Sequence, residues 1–237
     1  MSDAIAALSD AMRNDAETLR VIGQNVANIE TVAYRREISV MRSNFDQVTD
    51  DARASLAQSQ TLETAIDLRP GVLKSTSGAL NLALEGPGFF VVDTPQGEAL
   101  TRRGDFRLDS EGRLTTQAGI PVLGEGGAIH LQGATPQIAP DGNVRVNGEV
   151  VARLRIAQVA SEAQLTALGG DLYAAPQLPE GNDAARVRQG FLEASNVESV
   201  QEMVRLMETM RHFESLQRFV RGYDDMMGKA ISELGKV

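Results

Sequence analysis

The chain contains 237 residues, with 32 acidic side chains against 23 basic ones, two histidines, and neither cysteine nor tryptophan. The missing cysteines exclude disulfide scaffolds, thiol catalysis and cysteine-ligated metal centres. A net charge of −9 argues against duplex nucleic acid as a partner, because phosphate binding needs a concentrated basic surface. No segment approaches the roughly 20 apolar residues of a membrane span. We therefore expect a folded protein that binds no nucleic acid and does not insert directly into a membrane.

The histidines limit the chemistry that a single chain can perform. Only His130 and His212 are present, and they lie far apart in the sequence. A multi-histidine metal site within one chain is therefore impossible, and a nucleophile–histidine pair is unsupported. We predict no catalytic residues, no metal site and no cofactor. The N-terminus lacks a basic region followed by an apolar stretch, so export is expected to use a route without a cleaved signal peptide.

The first helix is predicted from apolar residues that recur at spacings of three, four or seven, the pattern of one helical stripe. These residues are Ile5, Leu8, Met12, Leu19, Ile22 and Val26. Asp15 occupies the vacant core position of this stripe, and a polar core residue fixes helix register when a basic group pairs with it. The candidate basic partners at interfaces are Arg13, Arg20, Arg205 and Arg211, and a solvated helix face is the alternative for each of them. Asn28 is expected to end the helix in the left-handed conformation.

The middle of the chain has the pattern of short β-strands. Residues 71–193 carry turn signals every eight to twelve residues, with brief apolar alternations between them, which is typical of an all-β region. The segment 80–85 alternates leucine with other residues, as in a strand with one buried face. A glycine-rich turn at 86–88 then leads into the apolar run 89–92. The stretch 161–168 is predicted as a helical turn.

The C-terminal helix is predicted to begin at a capping box, Ser195-Asn196-Val197-Glu198, in which a hydroxyl and a carboxylate reach each other's backbone N–H groups. Its apolar stripe is wider than the seam of a two-stranded coiled coil. The stripe comprises Val197, Val200, Met203, Val204, Met207, Met210, Phe213, Val220 and Met227. A stripe this broad is expected to contact more than one neighbour, and its methionines suit an adaptable packing surface.

These patterns predict a mixed α and β fold, in which the N- and C-terminal α-helices pair in a coiled-coil-like layer and the central domain is all β. The expected divisions are 1–34 for the N-terminal helix, 35–70 for a connector of mixed structure, 71–193 for the β domain and 194–237 for the C-terminal helix. Isolated helices are marginally stable in water, so both ends need packing partners. Pairing within one chain is the simplest solution, and assembly with neighbouring copies is the other.

Two motifs resemble ligand sites, but turn and surface interpretations fit them better. The glycine-rich turn at 86–88 lacks the third glycine and the following helix of a phosphate-binding loop, and its proline removes a backbone donor. A tight turn into a strand is favoured. Asp105, Asp109 and Glu111 lack the alternating acidic positions of a calcium loop, so a solvated strand face and turn is favoured for them.

Three blocks of the sequence resemble the flagellar rod and hook family, the axial proteins of the bacterial flagellum. They are Asn25-Val26-Ala27-Asn28 with Thr31-Val32-Ala33-Tyr34-Arg35, then Leu84-Glu85-Gly86-Pro87-Gly88-Phe89-Phe90-Val91-Val92 with Thr101-Arg102-Arg103-Gly104-Asp105-Phe106, and Leu192-Glu193-Ala194-Ser195-Asn196-Val197 with Met203, Arg211, Phe213 and Glu214. The motif positions are Asn25, Ala27, Asn28, Thr31, Tyr34, Gly86, Gly88, Phe89, Phe90, Ser195, Asn196 and Val197. Three blocks in the same order and spacing make the resemblance specific, and it covers nearly the whole chain.

The resemblance implies a structural role in motility rather than an enzymatic one. Family members build a helical assembly in which the terminal helices form an inner tube and the β domain packs outside it. The implied partners are copies of this chain, other flagellar rod proteins and the flagellar type III export apparatus, and the implied location is the basal-body rod that crosses the periplasm. The length favours the proximal rod, with a distal rod or hook subunit as the alternative and a peptidoglycan-active enzyme as a remote one.

The residues expected to form subunit interfaces follow from the two helical stripes and this resemblance. They are Ile5, Leu8, Met12, Leu19, Ile22, Val26, Val197, Val200, Met203, Val204, Met207, Met210 and Phe213. One departure from the family pattern concerns the turn after the first helix. The family usually has glycine before the aromatic residue, whereas this chain has Ala33, which disfavours a left-handed backbone by roughly 1 kcal/mol. The turn is therefore expected to differ in detail.

Overall fold

The structure is a computed structural model that describes residues 2–43, 60–131, 135–159, 165–175 and 185–234. Within these residues, α-helices occupy the two ends of the sequence and short β-strands lie between them. The helices are α1 (Ser2–Ala27) and α2 (Ser199–Leu234). The strands are β1 (Glu37–Ser43), β2 (Gln60–Ile66), β3 (Leu73–Ser75), β4 (Leu82–Glu85), β5 (Phe89–Thr94), β6 (Gly97–Thr101), β7 (Arg107–Leu108), β8 (Leu114–Thr115), β9 (Leu123–Gly124), β10 (Gly127–Ala128), β11 (Gln137–Ile138), β12 (Asn143–Val146), β13 (Glu149–Arg153), β14 (Ile156–Ala157), β15 (Thr166–Gly169), β16 (Leu172–Ala174), β17 (Arg186–Gln189) and β18 (Phe191–Glu193). The predicted mixed α and β fold is confirmed.

The chain forms two compact units. The helical unit comprises Met1–Ala27, Glu37–Ala65 and Glu198–Val237, and the β unit comprises Asn28–Arg36 and Ile66–Val197. In the predicted connector, β1 pairs with β2, while residues 44–59 lie outside the described residues. Each unit is therefore assembled from segments that are far apart in the sequence.

The two helices pack against each other in the helical unit, which confirms the predicted pairing of the chain ends. The segment that follows α1 is hydrogen-bonded to the segment that precedes α2, because the Ala33 N–H donates to the Glu193 carbonyl at 2.8 Å. The end of α1 therefore lies beside the start of α2, and the helices run antiparallel. Both helices are most buried at these ends, at Val21 and Ile22 in α1 and at Glu202 in α2.

The face of α2 that packs on α1 differs from the predicted stripe. Seven of its buried and half-buried residues recur at alternating spacings of four and three, as in the seam of a coiled coil. They are Glu202, Leu206, Thr209, Phe213, Leu216, Val220 and Tyr223. Only Phe213 and Val220 of the predicted stripe belong to this seam. The rest of the predicted stripe does not pack on α1, because α2 carries two apolar stripes and periodicity alone does not reveal which one meets α1.

Asp15 lies at the contact between the helices, as its place in the α1 stripe predicts, but its partner is a histidine. Asp15 Oδ2 lies 2.6 Å from His212 Nδ1. Arg20 and Arg205, which were considered as partners, instead pair with carboxylates of their own helices. The cross-helix polar contact thus comes from a residue type that the sequence did not single out for this role.

The helix ends also differ from the predictions. α2 begins at Ser199, and Ser195 Oγ accepts a hydrogen bond from the Val197 N–H at 3.2 Å, so the predicted capping box is wrong. Asn28 does not adopt the left-handed conformation. That conformation occurs at Ala33, with φ of 57°, although alanine disfavours it. The methyl group of Ala33 is buried, which offsets part of the conformational cost.

The β unit contains antiparallel sheets, which agrees with the predicted all-β centre. One sheet has the order β14-β5-β6-β16-β15, another has the order β11-β12-β13, and the remaining strands of the unit pair in twos. β15 occupies the second half of the predicted helical turn at 161–168, so that prediction is wrong there. Residues 161–164 lie outside the described part of the chain.

The central strand β5 is buried on both faces, which explains its continuous apolar run. Phe90 and Val92 belong to the larger hydrophobic core, whereas Phe89 and Val91 belong to a second core on the opposite face. Ring pairs support both cores: Phe90 meets Phe106 edge to face at 5.1 Å, and Phe89 meets Tyr173 at 5.8 Å. β4 is also buried on both faces, rather than on one as predicted, because Ala83 is inaccessible to solvent.

Candidate functional site

The three blocks that resemble the flagellar family meet in the β unit around one buried carboxylate. Glu193, from the third block, lies between Arg35 of the first and Arg102 of the second. Glu193 Oε1 lies 2.8 Å from Arg35 Nη2, and Glu193 Oε2 lies 2.6 Å from Arg102 Nε. None of the three side chains is more than 3% exposed. We call these three residues the ion cluster.

Arg102 also holds the glycine-rich turn between β4 and β5. Its Nη2 donates to the carbonyl oxygens of Leu84 and Gly86, each at 2.8 Å, and its Nη1 donates to the carbonyl of Gly88. Both glycines have positive φ, 104° at Gly86 and 142° at Gly88, which a side chain would disfavour. The turn presents carbonyl oxygens to a cation, so its geometry supports the tight-turn interpretation over phosphate binding.

Glu193 fixes the backbone of two further segments. Its Oε1 accepts a hydrogen bond from the Gly71 N–H at 2.8 Å, and its carbonyl oxygen accepts one from the Ala33 N–H at 2.8 Å. Gly71 sits so close to the third block that a Cβ there would lie 1.9 Å from the Ala194 oxygen. Only glycine therefore fits at position 71, and the carboxylate of Glu193 is bonded on both of its oxygens.

The electrostatics of the ion cluster make the carboxylate indispensable. Two guanidinium groups and one carboxylate share a site that is almost closed to solvent. Burial lowers the pKa of Arg35 from its ordinary value, an effect that the Glu193 carboxylate opposes. Arg35 Nε is buried without a hydrogen-bond partner among the described residues. Loss of the carboxylate would leave two buried positive charges uncompensated.

Asn196, a motif residue of the third block, forms a second set of hydrogen bonds in the β unit. Its Oδ1 accepts from the Arg36 N–H at 2.7 Å, and its Nδ2 donates to the carbonyls of Asp67 at 2.9 Å and Arg69 at 2.8 Å. Its own N–H donates to the Tyr34 carbonyl at 3.3 Å. The hydrogen bond from the Arg69 side chain holds the pKa of Asp67 below its usual range. Asn196 therefore joins chain from three separate parts of the sequence.

The remaining polar motif residues of the first block have comparable local roles. In the helical unit, the buried Asn25 side chain pairs with the backbone of Glu37, donating to its carbonyl at 2.8 Å and accepting from its N–H at 2.9 Å. Burial raises the pKa of the Glu37 carboxyl. In the β unit, Thr31 Oγ1 donates to Asn28 Oδ1 at 3.1 Å within the turn that follows α1. These residues shape the chain as it leaves the first helix.

The residues predicted to form subunit interfaces fall into three groups by exposure. Ile22 and Val197 are buried, while Leu8, Met12, Leu19, Val26 and Phe213 are half-buried. Ile5 is exposed. The remaining five are apolar side chains of α2 that are 44–75% exposed: Val200, Met203, Val204, Met207 and Met210. We call these five residues the exposed stripe. Exposed apolar patches are typical of interaction sites on folded proteins.

No group of three His, Cys, Asp or Glu side chains in the described part of the chain lies close enough to hold a metal ion. Neither described helix has an apolar stretch of the length needed to cross a membrane.

Sequence reasoning missed the ion cluster, although its members stood inside the quoted blocks. Glu193 follows an apolar pair in Phe191-Leu192, and Arg102 follows the buried strand β6. Charged residues placed directly against apolar strands are the available signal, because such groups are rarely buried unless they are paired. The signal does not say which of the many arginines is the partner.

We predict that Glu193→Gln lowers the free energy of unfolding by about 3–5 kcal/mol, because it leaves two buried guanidinium groups without a counter-charge. Denaturant unfolding followed by circular dichroism measures this loss. Glu198→Gln is the matched control, since Glu198 is exposed and should change stability by less than about 0.5 kcal/mol. Equal stability of the two variants would contradict the role assigned to the cluster.

Comparison with known proteins gives matches to two family descriptions and to full-length relatives. Residues 83–152 match "Flagellar hook protein FlgE/F/G D1 domain", and residues 188–233 match "Flagellar basal body rod FlgEFG protein C-terminal". The flagellar basal-body rod protein FlgF of Rhizobium meliloti is 34% identical, with 97% of this chain and 96% of the relative covered.

Two further relatives extend the comparison to other bacteria. FlgF of Caulobacter vibrioides is 30% identical, with 92% of each chain covered. The rod protein FlgG of Bacillus subtilis is 28% identical, with 93% of this chain and 95% of the relative covered. The two matched regions contain Arg102 and Glu193 of the ion cluster together with the exposed stripe. This chain belongs to the flagellar basal-body rod FlgE/F/G family.

Proposed function

We propose that this chain is a structural subunit of the proximal rod, where it forms part of the helical drive shaft that carries motor torque to the hook. The observation that carries the proposal is similarity to FlgF proteins over nearly the full length of both chains, at 34% identity in one case. The family is one of structural rod proteins located in the basal body, so its members assemble with other rod subunits. A distal rod or hook position is the alternative, since FlgG relatives also match.

The exposed stripe supports assembly as the mechanism. Five apolar side chains on one face of α2 remain open to solvent after α1 has packed on the other face. Burying such side chains against a neighbouring subunit is favourable by roughly 1.5–3 kcal/mol for each fully buried side chain. Stiffness against torque then comes from many such contacts along the shaft. The neighbours are copies of this chain and other rod proteins, delivered as unfolded chains by the type III export apparatus.

The predicted domain divisions fit this mechanism. In this proposal, segments 1–34 and 194–237 supply the helices of the assembly, segment 71–193 supplies the β domain, and segment 35–70 connects them. Of the predicted interface residues, the half-buried ones on α1 hold the helices of one subunit together, and the exposed stripe joins subunits.

The carboxylates offer little support for a peptidoglycan-active enzyme. Asp105 lies 2.8 Å from Arg103, and Asp109 lies 2.7 Å from Arg113, which also contacts Glu111 at 3.3 Å. A hydrogen bond from Arg113 holds the pKa of Asp109 below its usual range. A general acid needs a raised pKa, so this arrangement opposes that role.

The axial position of the subunit tests the proximal assignment. A small tag on the exposed β12–β13 turn, labelled with gold in isolated basal bodies, is expected to mark the rod next to the membrane-embedded motor. Label at the hook-facing end of the rod would favour the distal position. Basal bodies without label, from cells that express the tagged chain, would contradict the rod function itself.

We predict that Met207→Lys prevents incorporation into rods and abolishes swimming, because it places a charge in a surface that loses water on assembly. Met207→Leu is the control and should assemble normally, since it keeps the apolar volume. Circular dichroism and thermal unfolding of the purified variants are expected to match the unmodified chain. Normal rods containing the lysine variant would refute the assignment of the exposed stripe.

A further inference from the structure

We propose that a pocket beside the ion cluster binds a carboxylate that carries a small apolar body. This site goes beyond the proposed rod function and does not depend on it, because binding is measured on the purified chain. Three features of the β unit support the proposal: the lining of the pocket, an unused hydrogen-bond donor of Arg35, and the net charge of the ion cluster.

The pocket lies beside the glycine-rich turn and has a volume of about 280 Å³. Its walls are mostly apolar side chains, namely Leu68, Pro70, Pro87, Phe89 and Val159. An apolar cavity of about 150 Å³ binds benzene, and pockets for drug-sized ligands measure roughly 300–1,000 Å³. The pocket therefore suits a small ligand whose apolar body is comparable with a substituted benzene ring.

The pocket combines an exposed rim with a buried, positively charged end. Pro70 and Pro87 of its lining are exposed to solvent, whereas Phe89 is buried. Arg35 and Arg102 also line the pocket, and neither side chain is more than 3% exposed. A ligand that enters past the prolines therefore places its apolar body against Phe89 and its far end near two guanidinium groups.

The two arginines differ in the donors that they have left for a ligand. A guanidinium group carries five N–H donors. Arg102 uses four of them, one for Glu193 and three for carbonyl oxygens of the glycine-rich turn. In Arg35, Nη1 donates to the Arg69 carbonyl and Nη2 lies 2.8 Å from Glu193 Oε1, while Nε has no hydrogen-bond partner among the described residues. A buried donor without a partner is unfavourable, so Arg35 favours a ligand that brings an acceptor oxygen.

The charge of the ion cluster favours a ligand with a single negative charge. Two guanidinium groups share one carboxylate, so the cluster keeps one positive charge away from water. A carboxylate neutralises that charge, whereas a phosphate group, at about −1.5 to −2, would exceed it. The nearby Asp67 carboxylate is held by Arg69, whose Nε lies 2.9 Å from Asp67 Oδ2. A monocarboxylate is therefore the ligand that matches both the donor and the charge.

Titration of the purified full-length chain with 3-phenylpropionate tests the site. Nuclear magnetic resonance follows the Arg35 Nε–H signal, which is expected to move as a carboxylate oxygen becomes its acceptor. 3-Phenylpropionamide has nearly the same shape without the charge. It is expected to bind at least about tenfold more weakly, because a hydrogen bond between two charged groups is lost. Phenylphosphonate, whose charge exceeds that of the cluster, is also expected to bind more weakly.

A substitution in the pocket wall provides a second measurement that leaves the ion cluster intact. Val159→Phe places a larger side chain in the pocket and is expected to weaken binding of 3-phenylpropionate at least about tenfold, since the space for the ligand is lost. Val150→Phe is the matched control, because Val150 is exposed on β13 and does not line the pocket. It should leave the affinity unchanged. Circular dichroism verifies that both variants are folded.

The carboxylate has two possible sources, a free acid or the end of a polypeptide chain. N-acetylglycylphenylalanine carries the same aromatic body and a carboxylate at a chain end. Tighter binding of 3-phenylpropionate than of this peptide would identify a free acid as the ligand, and the reverse order would identify a chain end. Either order supports the site.

Three outcomes would overturn the proposal. They are equal affinity for 3-phenylpropionate and its amide, equal affinity of the Val159→Phe and Val150→Phe variants, and an Arg35 Nε–H signal that moves with neither carboxylate at millimolar concentration. None of these outcomes bears on the rod function, which the gold label in basal bodies tests separately.

Discussion

The buried carboxylate of Glu193 is the interaction on which the rest of this structure depends. It holds Arg35 and Arg102, which lie 158 and 91 positions earlier in the chain, in one site closed to solvent. Taking three charges out of water is costly, and their mutual attraction offsets the cost only when both carboxylate oxygens are bonded. Here each oxygen faces a guanidinium, and the Gly71 N–H adds a third donor.

Bringing these distant segments of the chain together also costs conformational entropy, although that cost grows slowly with the length of chain between them. The cluster therefore depends on the β unit being folded, and loss of its carboxylate would destabilise the β unit.

The ion cluster bears on function because of where its residues lie in the sequence. Arg35 follows α1, and Glu193 precedes α2, so the cluster ties together the segments that lead out of one helix and into the other. The hydrogen bonds of Ala33 and Asn196 reinforce that junction. In the helical unit, one apolar seam of α2 packs on α1, and the exposed stripe is the surface that we propose for contact with a neighbouring subunit.

Sequence reasoning reached the fold and the family but not the contacts inside them. Periodicity located both helices and the β region, because the apolar repeats are local properties of the sequence. Apolar residues recur every three to four positions in a helix and every two positions in a strand. Periodicity could not choose between the two stripes of α2, since Leu206 and Met207 are adjacent and equally apolar. The partner of Asp15 was missed for a related reason: a histidine 197 residues away leaves no local mark. The capping box at Ser195 failed because Asn196 is engaged by Arg36, Asp67 and Arg69, and those long-range bonds outweigh a local cap. At Ala33, too, long-range contacts outweigh a local preference. The junction holds its backbone in the left-handed conformation, which alanine disfavours.

The central claim is that the junction between the helices belongs to the cooperative core of the β unit, and amide hydrogen exchange on the purified chain tests it most directly. The Ala33, Gly71 and Asn196 amides are bonded within the junction, whereas the Leu82 amide is bonded in the β core to the Gly104 carbonyl at 2.9 Å. If the ion cluster unites them, all four amides exchange only through global unfolding and show the same protection. Rapid exchange at Ala33, Gly71 and Asn196 while Leu82 stays protected would show that the junction opens by itself, and would contradict the account.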